Sequence, residues 1–419
     1  MSNKVITVAI LGAGSRGADA YGSRINKQKD KFKIVAICDL RKERLDRFSK
    51  IFGVDSCMLF TDEKEFFKKR LADMLIIGTP DKEHFRHAVT AMELGYDLLL
   101  EKPLTDKKDE CDKLLEVQKK HGNKVLVCHV LRYGPPFYKL FEIVESGKIG
   151  TLIGINAIEG VRYWHQAHSY VRGNWRNSQT STPMILAKCC HDLDLIQYYA
   201  NSKCKSVCST GELKFFKKEN APENSADRCV NCKYIDECPY SAKQIYIDRW
   251  KLLGCPEDLW PFNVIAAAPL TEEKLQEAIT NGDYGRCVFK CDNNVVDNQI
   301  VMMEFENGVR AELTMTAFAA GRRYHLYGTK GDVILDENNI TLNIFSIKDE
   351  PQVFPLKDLI EEGHSHGGGD QALIGTLYDL LLGNAPARTD LSNSIESHLM
   401  GIAAEKSRLL GGKLVKVHE

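Results

Sequence analysis

The sequence predicts an α/β chain in two parts: a doubly wound parallel sheet over residues 1–128, and an α+β domain over residues 129–419 with an open, mostly antiparallel sheet. Three observations carry this reading. A short apolar strand at 5–11 runs into Gly12-Ala13-Gly14-Ser15-Arg16-Gly17 and then into a helix. Short apolar strands alternate with helices from there to residue 128, which is the rhythm of repeated βαβ units. After His129 the pattern changes to apolar–polar alternation with hairpin turns such as Asn307-Gly308 and Lys330-Gly331.

The elements follow in order. In the first turn Gly12 permits a tight bend, Gly14 lets a pyrophosphate approach the backbone, and Gly17 lets helix and strand pack closely. Unpaired N–H groups of the helix starting at Ser15 and Arg16 favour the anion. The strand at 32–38 ends on Asp39, the acid expected to accept hydrogen bonds from an adenosine ribose. Its charge repels a 2′-phosphate and favours NAD over NADP, while Arg41 works the other way. Strand, glycine turn, helix and terminal acid together predict a Rossmann domain. A helix at 41–52 follows, and Thr61 is placed to cap another that ends near residue 70. The buried strand at 74–77 ends at Gly78-Thr79-Pro80, and a helix at 84–94 is closed by Gly95. Leu98-Leu99-Leu100 reads as a strand covered on both faces. Glu101-Lys102-Pro103 comes next, past the carboxyl end of that strand, where α/β sheets bind ligands. Thr105 is expected to cap a helix closed by Gly122, and the strand at 124–128 delivers His129.

The second part opens with a helix from Pro135 to about Gly147. Strands are predicted at 151–161, 205–216, 297–305, 309–318, 324–327, 333–335 and 341–345. A helix is expected to start near His191, within Lys188-Cys189-Cys190-His191-Asp192-Leu193-Asp194. An insertion at about 201–291 is irregular and rich in Cys, Trp and Pro. Within it Cys229, Cys232 and Cys238 have the spacing of metal ligands, for a structural zinc or an iron–sulfur centre, with Cys204, Cys208 or Cys255 as the fourth. The alternative is reduced thiols packed as small apolar residues. Tyr133, Tyr163, Trp164, His165, Trp175 and Arg176 fall in loops near the expected cleft, as sugar platforms or as core.

Composition narrows the partners. Net charge is −1, so no basic excess points to nucleic acid or an anionic membrane. No apolar run reaches the ~20 residues of a membrane span. The chain enters a strand at Val5, which leaves no room for a secretory leader and predicts a cytoplasmic protein whose 14 cysteines are reduced or metal-bound.

Gly12–Gly17, Thr79-Pro80 with His84, Glu101-Lys102-Pro103, Arg132-Tyr133, and His191 with Asp194 together resemble the glucose–fructose oxidoreductase/inositol dehydrogenase family (Gfo/Idh/MocA) over essentially the whole chain. The resemblance implies a nicotinamide cofactor held by Gly12, Gly14, Ser15, Arg16, Gly17, Asp39, Thr79, Pro80, His84, Glu101 and Lys102. It implies sugar, glycoside or polyol chemistry in the cleft, with Lys102, Arg132, Tyr133, Lys188, His191 and His366 against the substrate. Lys102 would stabilise a developing alkoxide, Glu101 would orient Lys102, and His191 would take the hydroxyl proton. The alternative for His191 is a structural cap on its helix. Inositol dehydrogenase-like members carry an aspartate one turn before this histidine. Here Ala187 stands there, and Asp192 or Asp194 would have to replace it unless His191 works without one. His364-Ser365-His366-Gly367-Gly368-Gly369-Asp370 resembles the His-Gly-Gly loop of NAD-dependent glycosidases, which oxidise a sugar transiently and cleave by elimination. The expected activity is therefore an NAD-dependent dehydrogenase, with a redox-neutral glycosidase or lyase as the alternative and a cofactor-sensing regulator as a third reading. Open sheets of this kind predict a homo-oligomer.

Overall fold

The computed structural model describes residues 4–348, 350–360 and 365–419. The first sheet holds β1 (Ile6–Leu11), β2 (Phe32–Cys38), β3 (Leu59–Phe60), β4 (Met74–Ile77), β5 (Asp97–Leu100) and β6 (Val125–Val127). All pairs are parallel, in the order β3-β2-β1-β4-β5-β6. The order reverses at β1, so the glycine turn after β1 and the turns after β4 and β5 open on the same edge. Every side chain of β4, and Leu98, Leu99 and Leu100 of β5, is fully buried, as strands covered by helices on both faces require.

The second sheet contains β7 (Leu152–Val161), β8 (Cys204–Glu212), β9 (Asn298–Phe305), β10 (Arg310–Thr316), β11 (Ala320–Gly328), β12 (Gly331–Leu335), β13 (Asn339–Ile344), β14 (Gln352–Pro355) and β15 (Val415–Lys416). Its order is β14-β13-β12-β11-β7-β10-β9-β8-β15. The pairing is antiparallel except at the centre, where β7 runs parallel to β10. Inward residues alternate with outward ones, and Ile300 and Met302 stay exposed on the uncovered face.

Two local expectations change. Asp62, not Thr61, caps the helix after β3, by accepting from the Lys64 N–H, and that helix is only Glu63–Phe66. Thr105 does not cap Lys108–His121; its hydroxyl accepts from the Lys107 N–H and donates to Glu110. The insertion is irregular over most of its length, as expected, and Phe216, Tyr246, Trp250, Phe262, Leu275 and Phe289 give it an apolar core. The chain also returns to the first sheet at its end. Leu373, Leu377 and Leu381 of the Gly369–Leu382 helix are buried in one cluster with Ile10, Ile76 and Leu99.

Candidate active site

The glycine turn is fixed by close contact. A Cβ on Gly12 (φ +88°) would stand 2.6 Å from the Gly78 carbonyl oxygen, and one on Gly17 would stand 2.2 Å from that of Gly12. Gly14 differs: a Cβ there would meet only the Arg44 guanidinium, at 3.4 Å. That methyl would fill the approach a phosphate needs, so the turn fits a dinucleotide. Asp39 Oδ2 accepts the Ala13 N–H (2.8 Å) and Arg44 Nη1 (3.3 Å), while Oδ1 accepts the Arg41 N–H (2.8 Å). The acid thus braces the turn. Arg44, which the sequence reading did not single out, stands beside both; its only local signal is its position in the first turn of the helix that follows Asp39.

Arg16 points into the protein. Its Nε donates to Glu101 Oε1 (2.7 Å), its Nη2 and Nη1 to the two oxygens of buried Asp370 (2.7 and 3.3 Å), and it also donates to the Tyr21 hydroxyl. Tyr21 in turn donates to Glu101 Oε1 (2.6 Å). Burial works against the Glu101 charge, yet Arg16, Lys102 and the Tyr21 hydroxyl hold its carboxyl below the usual range. Glu101 Oε2 accepts the backbone N–H of Lys102 (3.0 Å). The expected link from Glu101 to Lys102 therefore runs through the backbone, not the ammonium. His84 is buried with Nδ1 2.7 Å from the Pro103 carbonyl and Nε2 2.8 Å from that of Thr79. Its ring ties the Thr79-Pro80 turn to the Lys102-Pro103 turn, and both ring nitrogens are engaged inside the protein.

From this turn the Lys102 ammonium crosses to the other domain and donates to the Ala187 carbonyl (3.2 Å). Ala187 ends the short helix Met184–Ala187, and His191 lies one turn on, in the helix Cys190–Ala200. The His191 ring is buried and meets His129 edge-on at 5.9 Å between centroids. The Lys102 charge in turn acts on both His129 and Cys190. Burial raises the Cys190 thiol to about 12, which leaves it a neutral wall of the site. The Lys102 ammonium thus reaches the backbone one helical turn before His191.

A chain of charges flanks this point. Lys188 Nζ reaches Glu159 (3.3 Å), Glu159 pairs with Arg322 (2.7 Å), and Arg322 and Tyr324 both donate to Asp192 (2.8 Å each). Glu159 on β7 and Arg322 on β11 are direct cross-strand partners. Neither was singled out from sequence, although a carboxylate in step with the apolar inward positions Ile155 and Ala157 of β7 was a readable signal. Asp194 is gripped by Arg132 through Nε (2.7 Å) and Nη2 (2.8 Å). Arg132 also donates to Gln197 and to the Arg388 carbonyl, and Tyr133 accepts from the Arg388 N–H. Expected against the substrate, these two buried side chains are instead engaged within the protein. Trp175, a candidate platform, donates its indole N–H to Asp81 (3.1 Å), which Ser181 and Thr182 also contact.

His364 lies outside the described residues, as does the side chain of His366. Gly367 and Gly368 have φ of +60° and +83°, and a Cβ on Gly369 would lie 2.3 Å from the Val130 carbonyl oxygen. Gly369 therefore packs on the turn that carries Arg132.

The metal expectation is corrected. Among the described residues no group of three or more His, Cys, Asp or Glu side chains is placed to hold a metal ion. Cys229, Cys232 and Cys238 do line one small cavity, with Cys287, but the buried Arg172 guanidinium enters it, with Nη2 3.5 Å from Cys229 Sγ. A fixed cation stands among the thiols where a metal would need them free. Cys204 and Cys208 donate to carbonyls on and beside β8, and Cys255 is exposed.

The profile of an oxidoreductase family with an NAD-binding Rossmann fold matches residues 6–129, and that of its C-terminal α/β domain matches residues 142–414. The chain belongs to the Gfo/Idh/MocA oxidoreductase family. It is 23% identical over 343 residues to YteT of Bacillus subtilis, a protein to which an oxidoreductase role is ascribed, covering 77% of this chain and 75% of that one. It is 27% identical over 206 residues to an inositol 2-dehydrogenase of Corynebacterium glutamicum (49% of this chain, 57% of that one). To a 2,7-anhydro-N-acetylneuraminate hydratase of Mediterraneibacter gnavus it is 23% identical over 213 residues (50% and 53%). The last two alignments span little more than half of those relatives. The WlbA dehydrogenase of Bordetella pertussis, solved with NADH and UDP-GlcNAcA, superposes with a TM-score of 0.67 at 14% identity, covering 99% of both chains. At that identity the likeness shows the fold. Among the described residues, no helix of this Gfo/Idh/MocA chain is long and apolar enough to cross a membrane.

Proposed function

We propose that this protein is an NAD-dependent dehydrogenase that moves a hydride between nicotinamide and a hydroxyl-bearing carbon of a sugar, glycoside or polyol. The observation that carries the reading is the Lys102 ammonium reaching from the turn after β5 to the Ala187 carbonyl, one turn before His191. The glycine turn would hold the pyrophosphate, Asp39 and Arg44 the adenosine ribose, and the Thr79-Pro80 and Glu101-Lys102 turns the nicotinamide end. The Asp39 carboxylate favours NAD over NADP, because a 2′-phosphate would face its charge. The bound cofactor supplies the hydride acceptor.

The chain's own groups do the rest. Lys102 exchanges the Ala187 carbonyl for the substrate hydroxyl oxygen and stabilises the alkoxide as it forms. His191 accepts the hydroxyl proton, a task that suits an imidazole. Glu101 fixes the Lys102 backbone, and Arg16 and Tyr21 fix Glu101. Lys188, held by Glu159, borders the substrate space with its ammonium. The protein acts as a homo-oligomer through the sheet face that leaves Ile300 and Met302 exposed.

A second reading, a redox-neutral glycosidase or lyase, is favoured by the Gly367–Gly369 turn, which brings Asp370 onto Arg16 beside the cofactor turn. The similarity to an anhydro-sugar hydratase is compatible with it. One screen separates the two. Polyols, aldoses and glycosides are incubated with the protein and NAD, following NADH absorbance and released aglycone together. Steady NADH accumulation supports the dehydrogenase; aglycone release without net NADH supports the second reading. Neither signal, from a protein that binds NADH, would remove both in favour of a cofactor-sensing regulator.

A further inference from the structure

His129 follows β6 at the carboxyl edge of the parallel sheet, is completely buried, and has no hydrogen-bond partner for either ring nitrogen among the described residues. Buried polar atoms are rarely left so, because an unmet donor or acceptor forfeits its hydration. Four segments present polar groups to it. Lys102 and Glu101 come from the turn after β5, Arg132 from its own segment, His191 and Asp194 from the helix Cys190–Ala200, and His398 from the helix Leu391–Leu409.

Two of these neighbours are already committed. His398 Nδ1 donates to the Ser394 carbonyl and Nε2 accepts the Leu104 N–H, so that ring is neutral and saturated. Arg132 is engaged by Asp194, Gln197 and a carbonyl. Asp194 retains capacity, since each carboxylate oxygen accepts more than one hydrogen bond, and its Oδ2 lies 3.8 Å from His129 Nδ1. Burial first, then the Arg132 and Lys102 charges, keep His129 well below the usual histidine range and hence neutral.

We propose that His129 is a positioning residue of the active site: Asp194 holds the proton on Nδ1, and the Nε2 lone pair serves as a neutral acceptor that steadies the protonated form of His191. The apolar strand end and the two cations keep a proton from settling on His129 itself. The cycle can then leave the substrate's proton on His191. This rests on His191 as the base, but its test does not need the substrate.

Histidine side chains are followed by ¹⁵N and ¹³C NMR in the full-length protein bound to NAD, with the His191 signal identified by its loss in His191→Gln. In the wild type, His129 should show a neutral ring protonated on Nδ1 from pH 5 to pH 9. In His129→Phe the His191 midpoint should fall by about half a pH unit or more, and in His129→Gln, which restores an acceptor near the Nε2 position, it should return toward the wild-type value. A merely structural His129 would lower thermal stability in both variants and leave the His191 midpoint unmoved, which overturns the proposal. So does a wild-type His129 carrying its proton on Nε2, or carrying two, a result readable even if neither variant folds. Retained turnover in His191→Gln would instead remove His191 as the base and leave the His129 titration result standing.

Discussion

Replacing Glu101 by glutamine changes one oxygen to an amide and should cost this protein measurable stability. Glu101 accepts three hydrogen bonds: from Arg16 Nε and the Tyr21 hydroxyl at Oε1, and from the Lys102 N–H at Oε2. A glutamine cannot satisfy all three. Whichever way its amide turns, an NH2 faces a donor, and among the described residues the Arg16 charge keeps only Asp370 as counter-ion. Full loss of a buried partner costs about 3–5 kcal/mol, but the remaining Asp370 pair limits this to the loss of one charge-assisted bond, about 1.5–3 kcal/mol. With an unfolding entropy of about 2.1 cal/mol/K per residue, a chain of 419 residues should then melt about 2–3 °C lower. The pH dependence has a definite sign. Because the folded Glu101 carboxyl is held below its unfolded value, its contribution is complete above the unfolded pKa of ~4.3 and disappears as pH falls through the folded value. The gap in melting temperature between wild type and Glu101→Gln should therefore be full at pH 7 and narrow below that unfolded value. Differential scanning calorimetry from pH 7 downward reads both. Equal melting temperatures at pH 7, or a gap that does not change with pH, would refute the role assigned to this carboxylate.

Two further outcomes are expected. Asp39→Ala should weaken NADH binding by about tenfold or more while weakening NADPH less, since it removes a charged acceptor and also the brace on the Ala13 N–H; fluorescence titration with both cofactors checks this, and an unchanged affinity ratio contradicts the ribose assignment. Gly17→Ala should abolish NADH binding or folding, because its Cβ would lie 2.2 Å from the Gly12 carbonyl oxygen, and a folded variant with wild-type NADH affinity in the same titration would contradict the close packing of that turn.

The dinucleotide half was legible because its signals are local. A glycine turn between strand and helix, an acid at a strand end and three leucines before a charged pair need only short-range sterics and periodicity. Helix starts were less legible, since Asp62 competes with Thr61 and Thr105 turns its hydroxyl to Glu110 instead of capping. The partners of the site were least legible. Arg16 meets Asp370, 354 residues on, and Leu104 meets His398, 294 residues on, and no spacing rule links such positions. Arg132 reads in sequence like a cleft cation, but a guanidinium beside a buried aspartate is better satisfied inside, and the structure puts it there. The cysteine spacing misled for a related reason: two ligand-like intervals say nothing of the arginine that folds in among them.

The central claim is that one ammonium and one imidazole, brought from two domains, act on the same carbinol. Lys102→Met tests it most directly, because the thioether keeps the bulk and drops the charge. With the substrate found in the screen, kcat/KM should fall by about 10²–10³, the usual effect of removing one electrostatic stabiliser of a developing oxyanion, while NADH still binds with near wild-type affinity. Turnover within about threefold of wild type, less than ~1 kcal/mol of transition-state stabilisation, would contradict the account.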